Sequence, residues 1–432
     1  MPALEDHIVA LNEGLDPASY VIGTFIIQGP STDDMLQRAA SFAVEQTVGR
    51  GIFSMPDELM HLLHERGGKV ISLFSVPDHE TRVTRQPGEW QRWVTRIAFP
   101  VENTGYQIPM LLTAVLSDIS MGGMVKMVDL DLPSRFLEAF QGPKFGLAGV
   151  REVTHTSKSH RPLVLTILKP CAGMSAKEAA AIFYEQALGG ADFIKDDELM
   201  AYADDLRVED RVRACMEAEK RAYEQTGEHV VYLANITDRP DRMRDSARRA
   251  IDAGAPGLML TPLTTGIGAL QMLAEDPEIQ VPIFAHPGGL GSVSWSPDFG
   301  IAEHIYISKL FRIAGADLLA VPVPYGKFTH MREHFIKMFK MNASPMQHIK
   351  PVFTQTGGGV TPINTYTILQ DLGDDVMLAA GGAIQQHPMG VTAGVRAMRQ
   401  AIQAYVDKVP LAEAAKQHKE LGVAYEKWGT EL

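Results

Sequence analysis

The chain has 432 residues, with 45% apolar and 21% charged side chains, the balance of a soluble globular enzyme. That length exceeds one ordinary core, so two domains, or one barrel of about 250 residues with an added domain, are expected. A net charge of −12 argues against nucleic-acid and anionic-membrane partners, which need clustered Lys and Arg, but leaves a small anionic substrate open.

The N-terminal stretch MPALEDHIVALNEGLD is acidic and lacks the apolar core of a signal peptide. No run of about 18 apolar residues follows anywhere, so no membrane span and a cytoplasmic setting are expected. YVIGTFIIQG (20–29) reads as a strand, and DDMLQRAASFAVEQT (33–47) carries apolar residues at helical spacing. KVISLFSVPD (69–78) and RIAFPVENT (96–104) read as strands, and IPMLLTAVLSD (108–118) as a helix. The pattern predicts an N-terminal α+β sandwich domain over 1–145, with helices on one face of an antiparallel sheet; a swapped-order α/β domain is the alternative.

The character changes near residue 145. Eight short apolar segments then alternate with helical ones: 163–169, 192–197, 230–237, 257–262, 282–287, 317–324, 351–356 and 376–382. Strands that are apolar on both faces and each followed by a helix form a parallel sheet covered by helices. Eight such units over 146–432 predict a (β/α)₈ TIM barrel. A doubly wound open sheet is the runner-up, but no GxGxxG opens the first helix. The two cysteines, Cys171 and Cys215, suggest no disulfide framework.

In such a barrel, chemistry sits at the C-terminal ends of the strands. Those ends carry Lys169, then Lys195, Asp197 and Glu198, then Asn235, His286, Tyr325 and Lys327, Thr356 to Gly359, and Gly381 with Gly382. In GGADFIKDDE (189–198), strand alternation turns Lys195 and Asp197 toward the mouth and Asp196 away. A buried ion pair is one reading of this trio. A hard-cation site is the other, because Mg²⁺ takes oxygen ligands and keeps positions for substrate. A protonated lysine cannot ligate, but CO₂ addition would make it a carboxylate-like donor. The glycines of the last two strand ends suit phosphate, since backbone N–H groups can cradle it only where no Cβ intervenes; plain turn glycines are the alternative.

GGADFIKDDE closely resembles the metal segment of the RuBisCO large subunit, GG-x-D-x-x-KDDE. TILKPCAG (166–173), AFQGPKFG (139–146), FAHP (284–287), TGGGV (356–360), AAGGAIQQHP (379–388) and VEQTVGR (44–50) are similar to further segments of that family, in the same order. The resemblance implies that Lys195 is carbamylated and binds Mg²⁺ with Asp197 and Glu198. It implies that Lys169 handles protons during enolisation, with its pKa depressed toward the working range by desolvation and the metal. His286 is implied near the metal, and Asn235, Thr356, Gly357, Gly358, Gly381 and Gly382 at the substrate. Glu45 and Thr47, with Asp118 of LSDIS, are implied to complete the site of a partner subunit, making the smallest unit a homodimer.

Several residues depart from the carboxylases. Cys171 replaces a second lysine, Asp118 an asparagine, and Ala320 a phosphate-contacting histidine; the loop PVPYGKF is short and proline-bearing. These are features of RuBisCO-like proteins, which keep the metal and enolisation parts. Lys327 lies at the offset of the family's loop lysine, which makes sense where a substrate carboxylate must be oriented. Decarboxylation of a 3-oxo sugar acid phosphate, of the 3-oxo-isoapionate 4-phosphate kind, is therefore the favoured reaction. A 2,3-diketo-5-methylthiopentyl-1-phosphate enolase or a 5-methylthioribulose-1-phosphate isomerase is the alternative, and a non-catalytic sugar-phosphate-binding paralogue belongs to another class.

Overall fold

The computed structural model describes residues 8–76, 88–200, 206–328 and 331–429; the last two residues of the strand expected over 69–78 lie outside them. The chain divides into two compact units. One comprises Met1–Phe140 with Gly289–Leu310, and the other Gln141–Gly288 with Phe311–Leu432.

The first unit is built on β1 (Tyr20–Pro30), β2 (Lys69–Val76), β3 (Trp90–Pro100) and β4 (Met124–Asp131). In β1, buried residues alternate with partly exposed ones along the whole strand, the period of a half-covered sheet. β3 begins earlier than expected because WQRWVTR also pairs antiparallel with β1. The helix Met35–Glu45 is capped by Asp34, whose carboxylate accepts the Gln37 N–H at 3.0 Å. The helix Ile108–Leu116 starts with proline in its first turn.

In the second unit, β5 (Leu163–Ile167), β6 (Phe193–Lys195), β7 (Val231–Asn235), β8 (Gly257–Leu260) and β9 (Ile283–Ala285) run parallel in chain order. A short excursion then contributes β10 (Gly300–Ile301), which pairs parallel with β4 of the first unit's sheet, in the order β10-β4-β1-β3-β2. The expected boundary at 145 did not foresee that Gly289–Leu310 belongs with the N-terminal unit: a two-residue strand carries too little periodicity to be read. β11 (Leu318–Pro322), β12 (Phe353–Gly357) and β13 (Val376–Ala379) close the barrel, with β13 pairing to β5.

The eight expected barrel strands are thus all present, and the fold is an N-terminal sheet-and-helix unit with a closed TIM barrel. The barrel interior is filled by Leu163, Leu165, Phe193, Leu233, Met259, Phe284 and their neighbours. Burying such side chains stabilises by roughly 1.5–3 kcal/mol each, and the filled interior leaves only the strand ends free for chemistry. Among the described residues, no helix is long and apolar enough to cross a membrane. Cys171 and Cys215 are both unpaired.

Candidate active site

β6 ends at Lys195, and the next three residues turn in different directions. Asp196 is fully buried away from the mouth. Its carboxylate pairs with Arg211 at 2.8 Å and accepts from Tyr232 Oη at 2.6 Å and the Asn235 N–H at 2.7 Å. Three donors satisfy a charge that would otherwise be very costly to bury. Asp196 therefore anchors the strand end and frees Lys195, Asp197 and Glu198 to face the mouth.

Lys195 is 3% exposed. Its ammonium donates to the Asp196 carbonyl at 2.9 Å and lies 3.3 Å from Glu198 Oε2. Burial pulls its pKa below the ordinary lysine value, against the surrounding carboxylates. Glu198 also faces His286, whose Nε2 lies 3.5 Å from Oε2. His286 Nδ1 accepts the Gly288 N–H at 3.2 Å, which leaves the proton on Nε2. Burial first, and then the Lys195 charge, push the imidazole down to about 4, so the ring is neutral near pH 7. Burial raises the Glu198 pKa, but Lys195 and His286 outweigh it and hold the carboxyl at about 2.

Lys169, just beyond β5, donates to Asp197 Oδ2, and its ammonium lies 3.7 Å from Cys171 Sγ. Burial lowers the Lys169 pKa, but the hydrogen bond and charge of Asp197 override burial and hold it above the ordinary value.

Two other expectations change role. Asn235 Nδ2 donates toward the carbonyls of Asp197, Glu198 and Met200 at 3.1, 3.3 and 3.2 Å, and Oδ1 accepts the Thr237 N–H at 3.0 Å. Its amide N–H groups hold the loop that carries the carboxylates, which gives Asn235 a positioning role besides the expected substrate contact. Thr356 is turned by strand alternation to the face opposite Phe353 of the core. Its Oγ1 is sealed from solvent without a partner, so its side chain does not line the mouth.

Gly357, Gly358 and Gly359 follow at the end of β12, the last two at φ +88° and +125°. A Cβ on Gly359 would fall 2.3 Å from Gly326 Cα, so this turn admits only glycine beside the loop after β11. The Lys327 N–H donates to the Gly358 carbonyl at 2.9 Å, setting Lys327 over the Gly turn. Its exposed ammonium lies 5.0 Å from the Phe328 ring centroid. Tyr325, at the same strand end, hydrogen-bonds Asp371, which also pairs with Arg332. Gly381 opens the turn after β13, where a Cβ would meet Ile167 Cδ1 of β5 at 2.7 Å; Gly382 is open.

Glu45, Thr47 and Asp118 gather in the first unit. Glu45 Oε2 accepts the Arg50 N–H at 3.2 Å, and its side chain is exposed. Gln46 Oε1 accepts the N–H of the exposed Asp118 at 3.1 Å, tying the two helix ends together. Thr47 Oγ1 donates to the Ala43 carbonyl at 2.7 Å and accepts the Gly68 N–H at 3.0 Å, so its hydroxyl is used internally.

Residues 149–428 match the family model of the ribulose bisphosphate carboxylase large chain, catalytic domain. The chain belongs to this family. It is similar to a ribulose bisphosphate carboxylase-like protein of Archaeoglobus fulgidus, 39% identical over 94% of this chain and 92% of the relative. It is also similar to the 2,3-diketo-5-methylthiopentyl-1-phosphate enolase of Geobacillus kaustophilus, 32% identical over 95% of this chain and 98% of the relative. The crystal structure of a rubisco-like protein (MtnW) from Alicyclobacillus acidocaldarius superposes with a TM-score of 0.87 at 34% identity, covering 95% of this chain and 100% of that one. The chain is thus a RuBisCO-like member of the large-chain family.

The donor set can be tested against the hard cation that the family resemblance implies. Among the described residues, no three His, Cys, Asp or Glu side chains converge as a ready metal cluster. Asp197 and Glu198 supply two carboxylates, and the third group between them is the Lys195 amine. The set fits Mg²⁺ once that amine carries CO₂, because all three donors are then oxygen anions. A buried amine of depressed pKa is also the form that attacks CO₂.

Proposed function

We propose that this protein is a Mg²⁺-dependent cytoplasmic enzyme that enolises a phosphorylated ketone, the activity named for its relatives being 2,3-diketo-5-methylthiopentyl-1-phosphate enolase. The observation that carries the reading is the contact network at the strand ends. Lys169 meets Asp197, Lys195 meets Glu198, and Glu198 meets His286, which joins the ends of β5, β6 and β9. A module that only binds sugar phosphate has no need of two carboxylates flanking a buried lysine. Carbamylated Lys195, Asp197 and Glu198 would hold the metal, which supplies Lewis-acid polarisation of a carbonyl oxygen.

The chain's own residues do the rest. Backbone N–H groups of Gly357, Gly358, Gly381 and Gly382 receive the phosphate, and Lys327 covers that end. Lys169 moves the proton on the carbon beside the carbonyl. Asp197 both holds Lys169 charged and is a proposed metal ligand, so the lysine's charge and metal occupancy are linked. Neutral His286 donates from Nε2 without adding charge. Glu45, Thr47 and Asp118 of one subunit are proposed to complete the site of its partner in a homodimer; for Thr47 the contribution is to shape the segment that carries Glu45.

Enolisation is preferred to decarboxylation for two reasons. Several relatives, that of Geobacillus kaustophilus among them, are named enolases, and among the described residues the Lys327 ammonium has no ion-pair partner that would fix it for a departing carboxylate. The test is incubation with Mg²⁺, CO₂ and 2,3-diketo-5-methylthiopentyl 1-phosphate, following conversion to the enol by absorbance. A panel of carboxyl-labelled 3-oxo sugar acid phosphates runs in parallel. Release of labelled CO₂ with no enol formation would reverse the preference, and no proton loss from any substrate would leave a binding protein.

A further inference from the structure

Gln355 lies in the middle of β12, between the core residue Phe353 and the Gly357 turn, on the inward face by strand alternation. It is 4% exposed. Its amide makes no hydrogen bond with any described residue, yet, unlike Thr356 Oγ1, it is not sealed from solvent. Amides this buried are nearly always paired within the protein. The geometry shows what this amide reaches. A Cβ placed on Gly357 would fall 2.8 Å from Gln355 Nε2 and 3.2 Å from Ala379 Cβ. The missing side chain at Gly357 therefore makes room for the amide to rise toward the mouth. In register beside Gln355 on β11 stands Ala320, at the position where the family resemblance leads one to expect a phosphate-contacting histidine. The truncation at Ala320 and the amide at Gln355 are neighbours on adjacent strands.

We propose that Gln355 is a specificity-determining residue whose amide hydrogen-bonds an uncharged oxygen, a hydroxyl or carbonyl, on the carbon chain of the substrate. An amide is a neutral group offering both N–H donors and a carbonyl acceptor. It matches a hydroxyl or ketone better than a second phosphate, which calls for cationic or multiple N–H donors. Ala320 supplies neither. The pair thus biases the site toward a monophosphate with an oxygen-bearing chain and against a bisphosphate. This deepens the function proposed above and rests on the same site being used.

The experiment compares the wild type with Gln355→Met, which keeps length and removes the polar head. One readout is the melting temperature of the substrate-free protein. Release of an unpaired amide should leave it unchanged or raise it; a fall of several degrees would show a structural partner and overturn the inference, whatever the substrate. The other is steady-state kinetics with 2,3-diketo-5-methylthiopentyl 1-phosphate and the panel above. The variant should lose roughly 10-fold or more in kcat/KM, mostly through KM, on the wild type's best substrate. Gln355→Glu should lose more, by repelling the anionic substrate. If the wild type turns over a substrate and Gln355→Met matches it, this inference fails while the enolase reading stands. If the wild type turns over none, the enolase reading fails. Melting shifts by the same compounds then decide Gln355, with an equal shift in both proteins overturning its role.

Discussion

Lys169 and Asp197 form an ion pair that joins the end of β5 to the residue pair beyond β6. The contact holds the Lys169 pKa above the ordinary lysine value, and it engages an oxygen that a metal would need. Asp197→Asn should therefore lower the Lys169 pKa toward or below the ordinary lysine value, read by NMR titration of the ε-methylene. Lys169→Met should cut turnover by roughly 10²- to 10⁴-fold, the usual worth of a positioned acid or base, while Mg²⁺ binding persists. Retained turnover in Lys169→Met would remove it from the proton-transfer step.

Lys195 is the second test. Its pKa is depressed by burial, so a larger neutral fraction exists at a given pH than for a surface lysine. Preincubation with CO₂ and Mg²⁺ should raise activity, and the activation rate should climb with pH until the amine is fully neutral. Lys195→Ala should abolish activity with the melting temperature nearly unchanged. Full activity after rigorous CO₂ removal would contradict carbamylation.

Asn235 gives a sharper test of loop positioning. Because its amide holds the carbonyls of residues 197, 198 and 200, Asn235→Ala should weaken Mg²⁺ affinity or activity by roughly 10- to 100-fold, the range for partners of metal ligands. The shift should appear in the Mg²⁺ titration midpoint before it appears in substrate KM. A change in KM alone would return Asn235 to the substrate.

The partner-site assignment is tested by mixing. An inactive Glu45→Ala protein and an inactive Lys195→Ala protein should recover activity after subunit exchange, because one hybrid site in each mixed dimer is intact. No recovery after exchange is verified by mass would show that Glu45 serves its own chain or none.

Stability should depend on pH through Asp192. Burial opposes its ionisation, but Arg399, Arg161 and the Val164 N–H outweigh burial and hold its pKa below the ordinary carboxylate value. A depressed folded pKa contributes stability that is present above the unfolded value of about 4 and is lost as pH falls through the folded one. Asp192→Asn should lower the melting temperature at pH 7 and flatten its fall under acid. An acid limb identical to wild type would assign that limb to other carboxylates. Arg211→Met should be costlier still, by about 3–5 kcal/mol, since it strands Asp196 in the interior.

The sequence by itself determined the barrel, because eight apolar segments each followed by a helical one have one common closed solution. It also located Lys169, Lys195, Asp197, Glu198 and His286 at strand ends, and strand alternation separated Asp196 from its neighbours. Only the tertiary structure decided what those groups touch. Asn235 reads from the chain as a substrate ligand alone, and only the fold shows its amide N–H groups donating toward three carbonyls of a neighbouring loop. Lys169 looks desolvated until Asp197, 28 residues away, supplies its counter-charge. Gln355 was legible in principle, two residues before Gly357 on the same face, but nothing along the chain shows that Ala320 stands beside it or that its amide lacks a partner among the described residues. Hydrogen-bond satisfaction and charge pairing are properties of groups distant in sequence, whereas periodicity is local, so the fold and the position of the site can be read from the chain while the work of each side chain cannot.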